Sequence, residues 1–423
     1  MPSEPDLGRP RRRAYVWTWL TGRQDPVVAG ALDAINGRLR FVYGQSYLER
    51  PDAVPLYTPE LPLRPGGQMP LDGLEVAGCM ADGAPDGWGR QVILHRLHGG
   101  DARATDTAAR PMLTYLLESG TDRIGANDFQ LSPTEYVPRL VDGHVEEVIA
   151  AADRMLAGVP FSPELDSVLD AGSSVGGARP KAVLRDDDTG VIAKFSTPSD
   201  HYPVIRAEAV GMELARRVGL DTATTTPTRV ANRDVLLVKR FDRTAGSRLR
   251  RGMVSALTIL GLHEMFGRYA TYPALADVIR HRFTQPSATL RELFARIVFN
   301  ILIGNTDDHA RNHAAFWDGA RLTLTPAYDL CPFPRDTGEA AQAMAIGRDG
   351  ERRARLVSCL DAAEVFLLTR REGLEEVRRQ LTVINEQWED AAEAAGLTPA
   401  DRNLLWGRAV VHPYSLEDLP TTS

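Results

Sequence analysis

Residues 300–330, NILIGNTDDHARNHAAFWDGARLTLTPAYDL, carry the strongest structural signal in this sequence. The apolar residues before Gly304 continue the helical pattern of LRELFARIVFNILIG, and glycine is common just after a helix end. The polar segment NTDDHARN is therefore predicted to be a loop held by a buried helix. Next, HAAFW and RLTLT flank Asp318-Gly319, a pattern typical of a β-hairpin.

The predicted hairpin folds the chain back and can bring Asp329 close to Asp307 and Asn312. Carboxylate and amide oxygens suit hard cations such as Mg²⁺, which are often shared with substrate phosphates. A kinase catalytic loop has an Asp as base, an Asn five positions later as metal ligand, and a second Asp from a later segment. Asp307, Asn312 and Asp329 follow this order. Two other interpretations stay open: a capped helix end with solvated side chains, and a transition-metal site of His309, His313 and carboxylates.

A kinase also needs groups that hold the phosphates of ATP, and candidates lie upstream. The small residues SSVGG at 173–177 predict a loop whose backbone N–H groups could approach phosphate oxygens. A second predicted hairpin, formed by AVL and VIAKF, has Lys194 on its returning strand, where a kinase has its phosphate-contacting lysine. The helix RAEAVGMELARRVGL offers Glu208 as the partner of this lysine, with Glu213 as the second choice. This order of groups predicts a kinase.

Length and composition limit the class of protein. The 423 residues exceed the roughly 250–300 at which single cores usually split, so we predict two domains, 1–160 and 161–423. The hydrophobic share of 43% and charged share of 25% are typical of a globular protein. A net charge of −7 argues against a chain that binds nucleic acid by itself.

The same reading favours a cytoplasmic protein without membrane contact. Three cysteines, far apart in the sequence, form neither a disulfide framework nor a zinc motif. Nowhere does the sequence reach the ~18 consecutive apolar residues expected of a membrane helix. The first residues, MPSEPDLGRPRRR, lack a hydrophobic signal core.

Several segments resemble the HipA family, serine/threonine-protein kinases that are the toxins of type II toxin–antitoxin pairs. The matching motifs are SSVGGARPKAVL, VKRFDR at 238–243, GNTDDHARNHA and PAYDL, and GRLRFVYGQSYLERPDAVPLYTPELPLR and APDGWGR resemble the family's N-terminal part. The resemblance covers nearly the whole chain. It implies an α+β fold, with a small N-terminal mixed β/α subdomain at 1–160. A bilobal protein-kinase-like domain with a helical C-terminal part is implied for 161–423.

The resemblance also implies roles for the matching residues. Asp307 would be the catalytic base, and Asn312 and Asp329 would hold Mg²⁺. The residues implied to lie around ATP are Ser174, Val175, Gly176, Gly177, Lys181, Lys194, Glu208, Lys239, Phe241, Asp242 and His309. Lys239 departs from the family, which often has an acidic residue there. Ser174 would be autophosphorylated, with Ser173 as the alternative, and this modification would switch the kinase off.

The implied function is an ATP- and Mg²⁺-dependent serine/threonine-protein kinase that arrests growth by phosphorylating a cellular protein. A HipB-like helix-turn-helix antitoxin is the implied partner, and DNA would be bound only through it. The acceptor would be a protein, for which the translation machinery is one candidate source. Two alternatives stay open: a small-molecule phosphotransferase with the same ATP site, and an inactive kinase-fold binding module. The intact set of Lys, Asp, Asn and Asp argues against the second.

Overall fold

The computed structural model describes residues 11–98, 110–139, 145–157, 179–184, 190–244, 249–336 and 338–420. The chain divides into two compact units. Unit 1 comprises Met1–Val183 and Asp242–Gly252, and unit 2 comprises Leu184–Phe241 and Met253–Ser423. The predicted boundary at residue 160 falls outside the described residues and stays a prediction.

The strands of unit 1 form an antiparallel sheet in the order β4–β3–β2–β1–β5. Alternation along β3 shows why these residues form a sheet: Leu39, Phe41 and Tyr43 are buried, and the residues between them are partly exposed. The strands are β1 (Arg13–Thr18), β2 (Val27–Ile35), β3 (Arg38–Tyr43), β4 (Gly67–Gln68) and β5 (Asn127–Gln130).

Helices and a returning segment complete the described part of unit 1. The helices are α1 (Gln45–Leu48), α2 (Gly78–Ala81), α3 (Gly87–His98), α4 (Met112–Glu118) and α5 (Val145–Ala157). The segment 242–252 joins this unit although it is distant in sequence. The guanidinium of Arg243 donates to Asp122 at 2.9 Å, and that of Arg250 lies 3.6 Å from the ring centre of Trp19. These ion-pair and cation–π contacts attach the segment to unit 1.

Unit 2 contains an antiparallel sheet in which β9 (Arg233–Lys239) lies between β7 (Val191–Phe195) and β8 (Thr225–Val230). A second sheet has the order β12–β13–β14. The other strands of unit 2 are β12 (Gly252–Ser255), β13 (Ala314–Trp317) and β14 (Leu322–Leu324). Three further strands belong mainly to unit 1: β6 (Lys181–Leu184), and β10 (Arg243–Thr244) and β11 (Leu249–Arg250) in its returning segment.

The predicted hairpin after the polar loop is confirmed, because β13 and β14 pair from Ala315↔Leu324 to Trp317↔Leu322. Its turn lies one residue later than the sequence pattern indicated. The N–H of Asp318 donates to the carbonyl oxygen of Arg321 at 3.3 Å, so Gly319 and Ala320 are the two turn residues. The Asp318 carboxylate accepts the N–H groups of Ala320 and Arg321 and closes the turn.

The helices of unit 2 surround a buried central helix, α9. Its apolar positions 293, 294, 297, 298, 301 and 302 are all buried, as the helical period predicts. The helices are α6 (Val204–Arg217), α7 (Ala256–Ile259), α8 (Tyr272–Arg282), α9 (Pro286–Leu302), α10 (Leu356–Asp361), α11 (Arg370–Ala394), α12 (Pro399–Leu405) and α13 (Pro413–Leu416), with 3-10 turns at Glu264–Tyr269 and Ala363–Phe366.

Gly304 ends α9 as the sequence predicts, and two observations explain why it is glycine. Its φ of +69° lies in the left-handed region, where a side chain is disfavoured. A Cβ at this position would lie 2.6 Å from the carbonyl oxygen of Ala409. The loop that follows therefore leaves the helix at a sterically restricted point. Among the helices in the described residues, none is both long and apolar enough to cross a membrane.

Candidate active site

Lys194 on β7 joins two carboxylates that come from distant parts of unit 2. Its Nζ lies 2.6 Å from Oε1 of Glu208 on α6 and 2.5 Å from Oδ1 of Asp329, which follows β14. The Glu208 side chain is 5% exposed and that of Lys194 is 16% exposed, whereas that of Asp329 is 43% exposed. The lysine is thus held at the edge of the interior, with the Asp329 carboxylate open to solvent.

The charge state of Lys194 follows from these partners. Burial by itself lowers the pKa of a lysine, because it penalises the charged form. Here the negative charges of Asp329 and Glu208 outweigh burial and raise the pKa of Lys194 above its usual range. Lys194 is therefore a permanent cation at neutral pH.

Glu213, the second choice from the sequence, faces other partners. Its carboxylate accepts from Arg216 and from Arg217, both at 2.7–2.9 Å. These guanidinium groups lower the pKa of Glu213, with the hydrogen bond from Arg216 as the largest cause. The five positions from Glu208 to Glu213 span about 1.4 helical turns, so the two side chains lie on different faces of α6.

A close approach between α6 and the segment after β14 brings Glu208 and Asp329 together. A Cβ at Gly211 would lie 2.1 Å from the carbonyl oxygen of Leu330, so only glycine allows this packing. Asp329 itself has a φ of +61°, a left-handed conformation that Asp adopts more readily than most residues. The sharp backbone turn at Asp329 directs the chain past the helix.

The loop after α9 carries Asp307 and Asn312, and hydrogen bonds within it define its shape. The N–H of His309 donates to the carbonyl oxygen of Asp307 and that of Asn312 to the carbonyl oxygen of His309, both at 2.8 Å. Nδ2 of Asn312 donates to the carbonyl oxygen of Asp307 at 3.2 Å, which orients its amide. The hydroxyl of Tyr328 donates to the carbonyl oxygen of Arg311 at 2.6 Å. Because Arg311 precedes Asn312 and Tyr328 precedes Asp329, this last bond links the segments that carry Asn312 and Asp329.

Asp307 is an exposed residue whose carboxylate has a raised pKa. Partial desolvation in the loop is the main cause that raises its pKa, and the negative charges of Asp329 and Asp308 add to the rise. His309 opposes this shift. A carboxylate with a raised pKa is a stronger base than an ordinary Asp, which suits it to interact with an acceptor hydroxyl.

Sequence reasoning missed a buried polar group beneath this loop. Oδ2 of Asp308 accepts the hydroxyl of Tyr272 and Nδ2 of Asn300, the latter at 2.8 Å, and lies 3.0 Å from Nε2 of His313. Burial and the adjacent Asp308 charge raise the pKa of Tyr272 well above its usual range. The available sequence signal was Asn300, a polar residue on a buried face of α9. His313, considered as a metal ligand from the sequence, here contacts a carboxylate.

Three other residues implied to lie near the nucleoside belong to unit 2. Phe241 packs against Phe316 and Tyr328, with ring centres 6.0 and 5.7 Å apart. Lys239, at the end of β9, is exposed. His309 is partly exposed, but its Nδ1 is buried and has no hydrogen-bond partner among the described residues. A buried unpaired nitrogen is uncommon in proteins and is consistent with a position where a ligand binds.

The described structure does not bring the remaining predicted residues together with the site residues of unit 2. Asp242 belongs to unit 1, where it is buried and accepts from the N–H of Gly125 and from Arg243, both at 2.8 Å. Lys181 is buried on β6, in unit 1. The predicted phosphate-binding residues 174–177 lie outside the described residues. The roles of all these residues stay predictions.

The chemistry of Asn312 and Asp329 fits a magnesium ion. Both can present oxygen ligands, and the Asn312 amide is oriented through its nitrogen, so its oxygen can act as the ligand. Mg²⁺ is usually bound by one or two protein oxygens together with substrate phosphates. Within the described ranges, no group of three or more His, Cys, Asp or Glu side chains could hold a metal ion.

Comparison with known proteins places this chain in a family. The family model described as the HipA-like C-terminal domain matches residues 173–400, which is more than half of the chain. The chain is 26% identical over 392 residues to Y4mE of Sinorhizobium fredii, which is named as a candidate kinase. That match covers 86% of this chain and 87% of Y4mE.

Two shorter matches lead to toxins. The toxin YjjJ of Escherichia coli K12 is 26% identical over 176 residues, 38% of each chain. The serine/threonine-protein kinase toxin HipA of Shewanella oneidensis is 28% identical over 148 residues, which are 31% of this chain and 34% of that protein.

A solved structure shares the fold over most of the chain. A chain in the complex of Shewanella oneidensis HipA, HipB and operator DNA matches with a TM-score of 0.62 at 20% identity, covering 93% of this chain and 96% of that one. The predicted α+β architecture with a kinase-like second domain is thereby confirmed. Together with the family match over residues 173–400, this agreement confirms the resemblance first seen in the motifs: the chain belongs to the HipA family of kinase-like toxins.

Proposed function

We propose that this protein is an ATP- and Mg²⁺-dependent serine/threonine-protein kinase. The observation that carries the proposal is the contact of Lys194 with both Glu208 and Asp329, at 2.6 and 2.5 Å. A lysine on a strand, a glutamate on the next helix and an aspartate after a later hairpin are the parts that kinases use to hold ATP. The inactive-module alternative does not require these residues to be brought together.

Each residue has a specific task in the proposed reaction. Lys194 offers a permanent cation to the phosphates, and Glu208 keeps its side chain in place. Asn312 and Asp329 would hold Mg²⁺, which supplies charge neutralisation on the transferred phosphoryl group. Asp307 orients the acceptor hydroxyl and accepts its proton. His309 and Phe241 would lie near the nucleoside, and the unpaired Nδ1 of His309 supports a ligand contact there.

The proposal includes a toxin role in the cytoplasm, with a protein as phosphate acceptor. It is supported by the family to which the chain belongs and by its two toxin relatives. A HipB-like helix-turn-helix antitoxin is the proposed partner, because the structural neighbour was solved with HipB and operator DNA. The net charge of −7 is consistent with DNA binding only through such a partner. Autophosphorylation of Ser174 is part of the same proposal.

Calorimetry and phosphate transfer test the central claim. Wild-type protein should bind ATP in the presence of Mg²⁺ and lose most of this affinity with EDTA or in Asp329→Ala. Transfer from γ-labelled ATP to a protein acceptor should fall by about 100- to 10,000-fold in Asp307→Asn, since it removes a general base. Asp361→Asn changes an exposed carboxylate that pairs with Arg370 and serves as the matched control. ATP binding that is equal in the wild type with Mg²⁺, in the wild type with EDTA and in Asp329→Ala would end the kinase proposal.

A further inference from the structure

The buried polar group around Asp308 lies outside the residues proposed to touch ATP, and it draws on several elements of unit 2. Tyr272 is the first residue of α8, Asn300 belongs to the last turn of α9, and His313 directly precedes β13. All three side chains contact Oδ2 of Asp308. Asp308 is therefore held by groups that approach from two helices and from the start of a strand.

The same group extends to the segment of Asp329. Oδ1 of Asn300 accepts from Nδ2 of Asn305 at 2.8 Å, and this Nδ2 lies 3.5 Å from the carbonyl oxygen of Asp329. Asn300 thus contacts the loop of the proposed base through its nitrogen and reaches toward the proposed metal ligand through its oxygen. Asn300, on a buried helix, therefore connects the two sides of the site together with Asn305.

Burial makes these contacts obligatory. Asp308 and Asn305 are 1% exposed and Asn300 is 0% exposed, so water cannot replace a lost partner. A buried carboxylate without donors is strongly unfavourable, and the loop would have to move to expose it. Asp308 is the chain neighbour of Asp307, with Cα atoms about 3.8 Å apart. Any displacement of Asp308 therefore displaces Asp307.

We infer that Tyr272, Asn300 and His313 are positioning residues that act through Asp308 to hold Asp307 in register with Asp329. This inference rests on the proposed function, because it assigns a role in the same phosphoryl transfer. None of the three side chains needs to touch ATP or the acceptor. Their contribution is geometric, and small misplacements of a reacting group can reduce a rate about 100-fold.

The test compares two deletions of a buried hydroxyl in unit 2. Tyr272→Phe removes the donor to Asp308 and keeps the ring. Thr325→Val removes a buried hydroxyl that donates to the carbonyl oxygen of Ala314 at 3.1 Å and not to Asp308. With γ-labelled ATP and myelin basic protein as acceptor, Tyr272→Phe should lower kcat by about 10- to 100-fold with an unchanged KM for ATP. Thr325→Val should leave kcat unchanged, although both variants lose stability in denaturant.

A double variant tests whether Tyr272 acts through Asp308. Asp308→Asn keeps the shape but weakens the hydrogen bond from Tyr272. Because both changes affect one contact, the kcat loss in Tyr272→Phe/Asp308→Asn should be smaller than the product of the single losses. Thr325→Val combined with Asp308→Asn should give the product. A multiplicative result for the first pair, or an unchanged kcat in Tyr272→Phe, overturns the inference while the proposed function stands.

Amide hydrogen exchange supplies a readout that does not depend on activity. The N–H groups of His309 and Asn312 are hydrogen-bonded inside the loop and report its order. Tyr272→Phe should accelerate their exchange, and Thr325→Val should not. Unchanged exchange in Tyr272→Phe overturns the inference, whether or not the wild type transfers phosphate. A wild type that transfers no phosphate, with accelerated exchange in Tyr272→Phe, would end only the proposed function.

Discussion

Nζ of Lys194 and Oδ1 of Asp329 lie 2.5 Å apart although 135 positions separate them in the chain. Asp329 is thus the ion-pair partner of the proposed phosphate-contacting lysine and also the proposed ligand of Mg²⁺. A metal ion at Asp329 must compete with the lysine ammonium. Under the proposed function, binding of Mg²⁺–ATP would therefore be linked to the release of Lys194 from Asp329.

Lys194→Met should separate the two roles of Asp329. The change leaves Glu208 and Asp329 without their shared cation, so we expect the free energy of unfolding to fall by about 1–3 kcal/mol. Mg²⁺ alone should raise the thermal midpoint of this variant more than that of the wild type, because no ammonium competes for Asp329. The control for the thermal shift is Arg216→Met, which breaks an exposed ion pair with Glu213 on α6, the helix that carries Glu208. An identical response to Mg²⁺ in variant and wild type would contradict the linkage.

Gly211→Ala should disturb the site from a position that touches no ligand. The added Cβ would lie 2.1 Å from the carbonyl oxygen of Leu330, so α6 or the Asp329 segment must move. We expect a loss of about 1–3 kcal/mol in stability and a marked loss of ATP binding by calorimetry. Gly87→Ala is the matched helical control, since no described atom lies within 4 Å of its Cβ position. A Gly211→Ala protein that binds ATP like the wild type would show that this packing does not set the site.

The pH dependence of activity should report the raised pKa of Asp307. A general base works when deprotonated, so kcat/KM should fall as the pH drops through this pKa, at a higher pH than an ordinary Asp would give. His309 lowers the pKa of Asp307, so His309→Gln should move the acid limb to still higher pH. His201→Gln, at an exposed position, should leave the profile unchanged. A limb that moves to lower pH in His309→Gln would refute this assignment.

Ser174 should acquire a phosphate when the protein is incubated with Mg²⁺–ATP. The modification adds roughly −1.5 to −2 charges to the predicted phosphate-binding loop, which should repel ATP. Peptide mass spectrometry should find the phosphate in wild type and in Ser173→Ala, and not in Ser174→Ala or Asp307→Asn. Phosphate found on Ser173 alone would remove the regulatory proposal without affecting catalysis.

Expression of the wild type without an antitoxin should arrest growth. Asp307→Asn preserves side-chain volume but removes the base, and a loss of about 100- to 10,000-fold in rate should relieve the arrest. Asp361→Asn should remain toxic, and protein levels of all three should be compared by immunoblotting. A toxic Asp307→Asn would favour a binding role. A harmless wild type that phosphorylates a small metabolite would favour the small-molecule phosphotransferase.

Much of the local architecture could be read from the sequence. The apolar period of α9, the stop at Gly304 and the hairpin of β13 and β14 depend on neighbours within a few residues, so their patterns are visible in one chain. The order of Lys194, Glu208, Asp307, Asn312 and Asp329 also pointed to the correct family. Each of these signals involves residues close together in the sequence, or is only the order in which the site residues occur along the chain.

Only the tertiary structure decided which of these residues meet. Glu208 and Glu213 are both acidic residues of one helix, and the close packing of Gly211 on Leu330 turns Glu208 toward Lys194. The return of Asp242 to unit 1 left no recognisable pattern, and the only signal of the buried Asp308 group was Asn300 on a buried helix face. The physical reason is that such contacts depend on packing between segments far apart in the chain. The sequence by itself determined the helices, turns and motif order, and long-range packing determined the partners of their charged side chains.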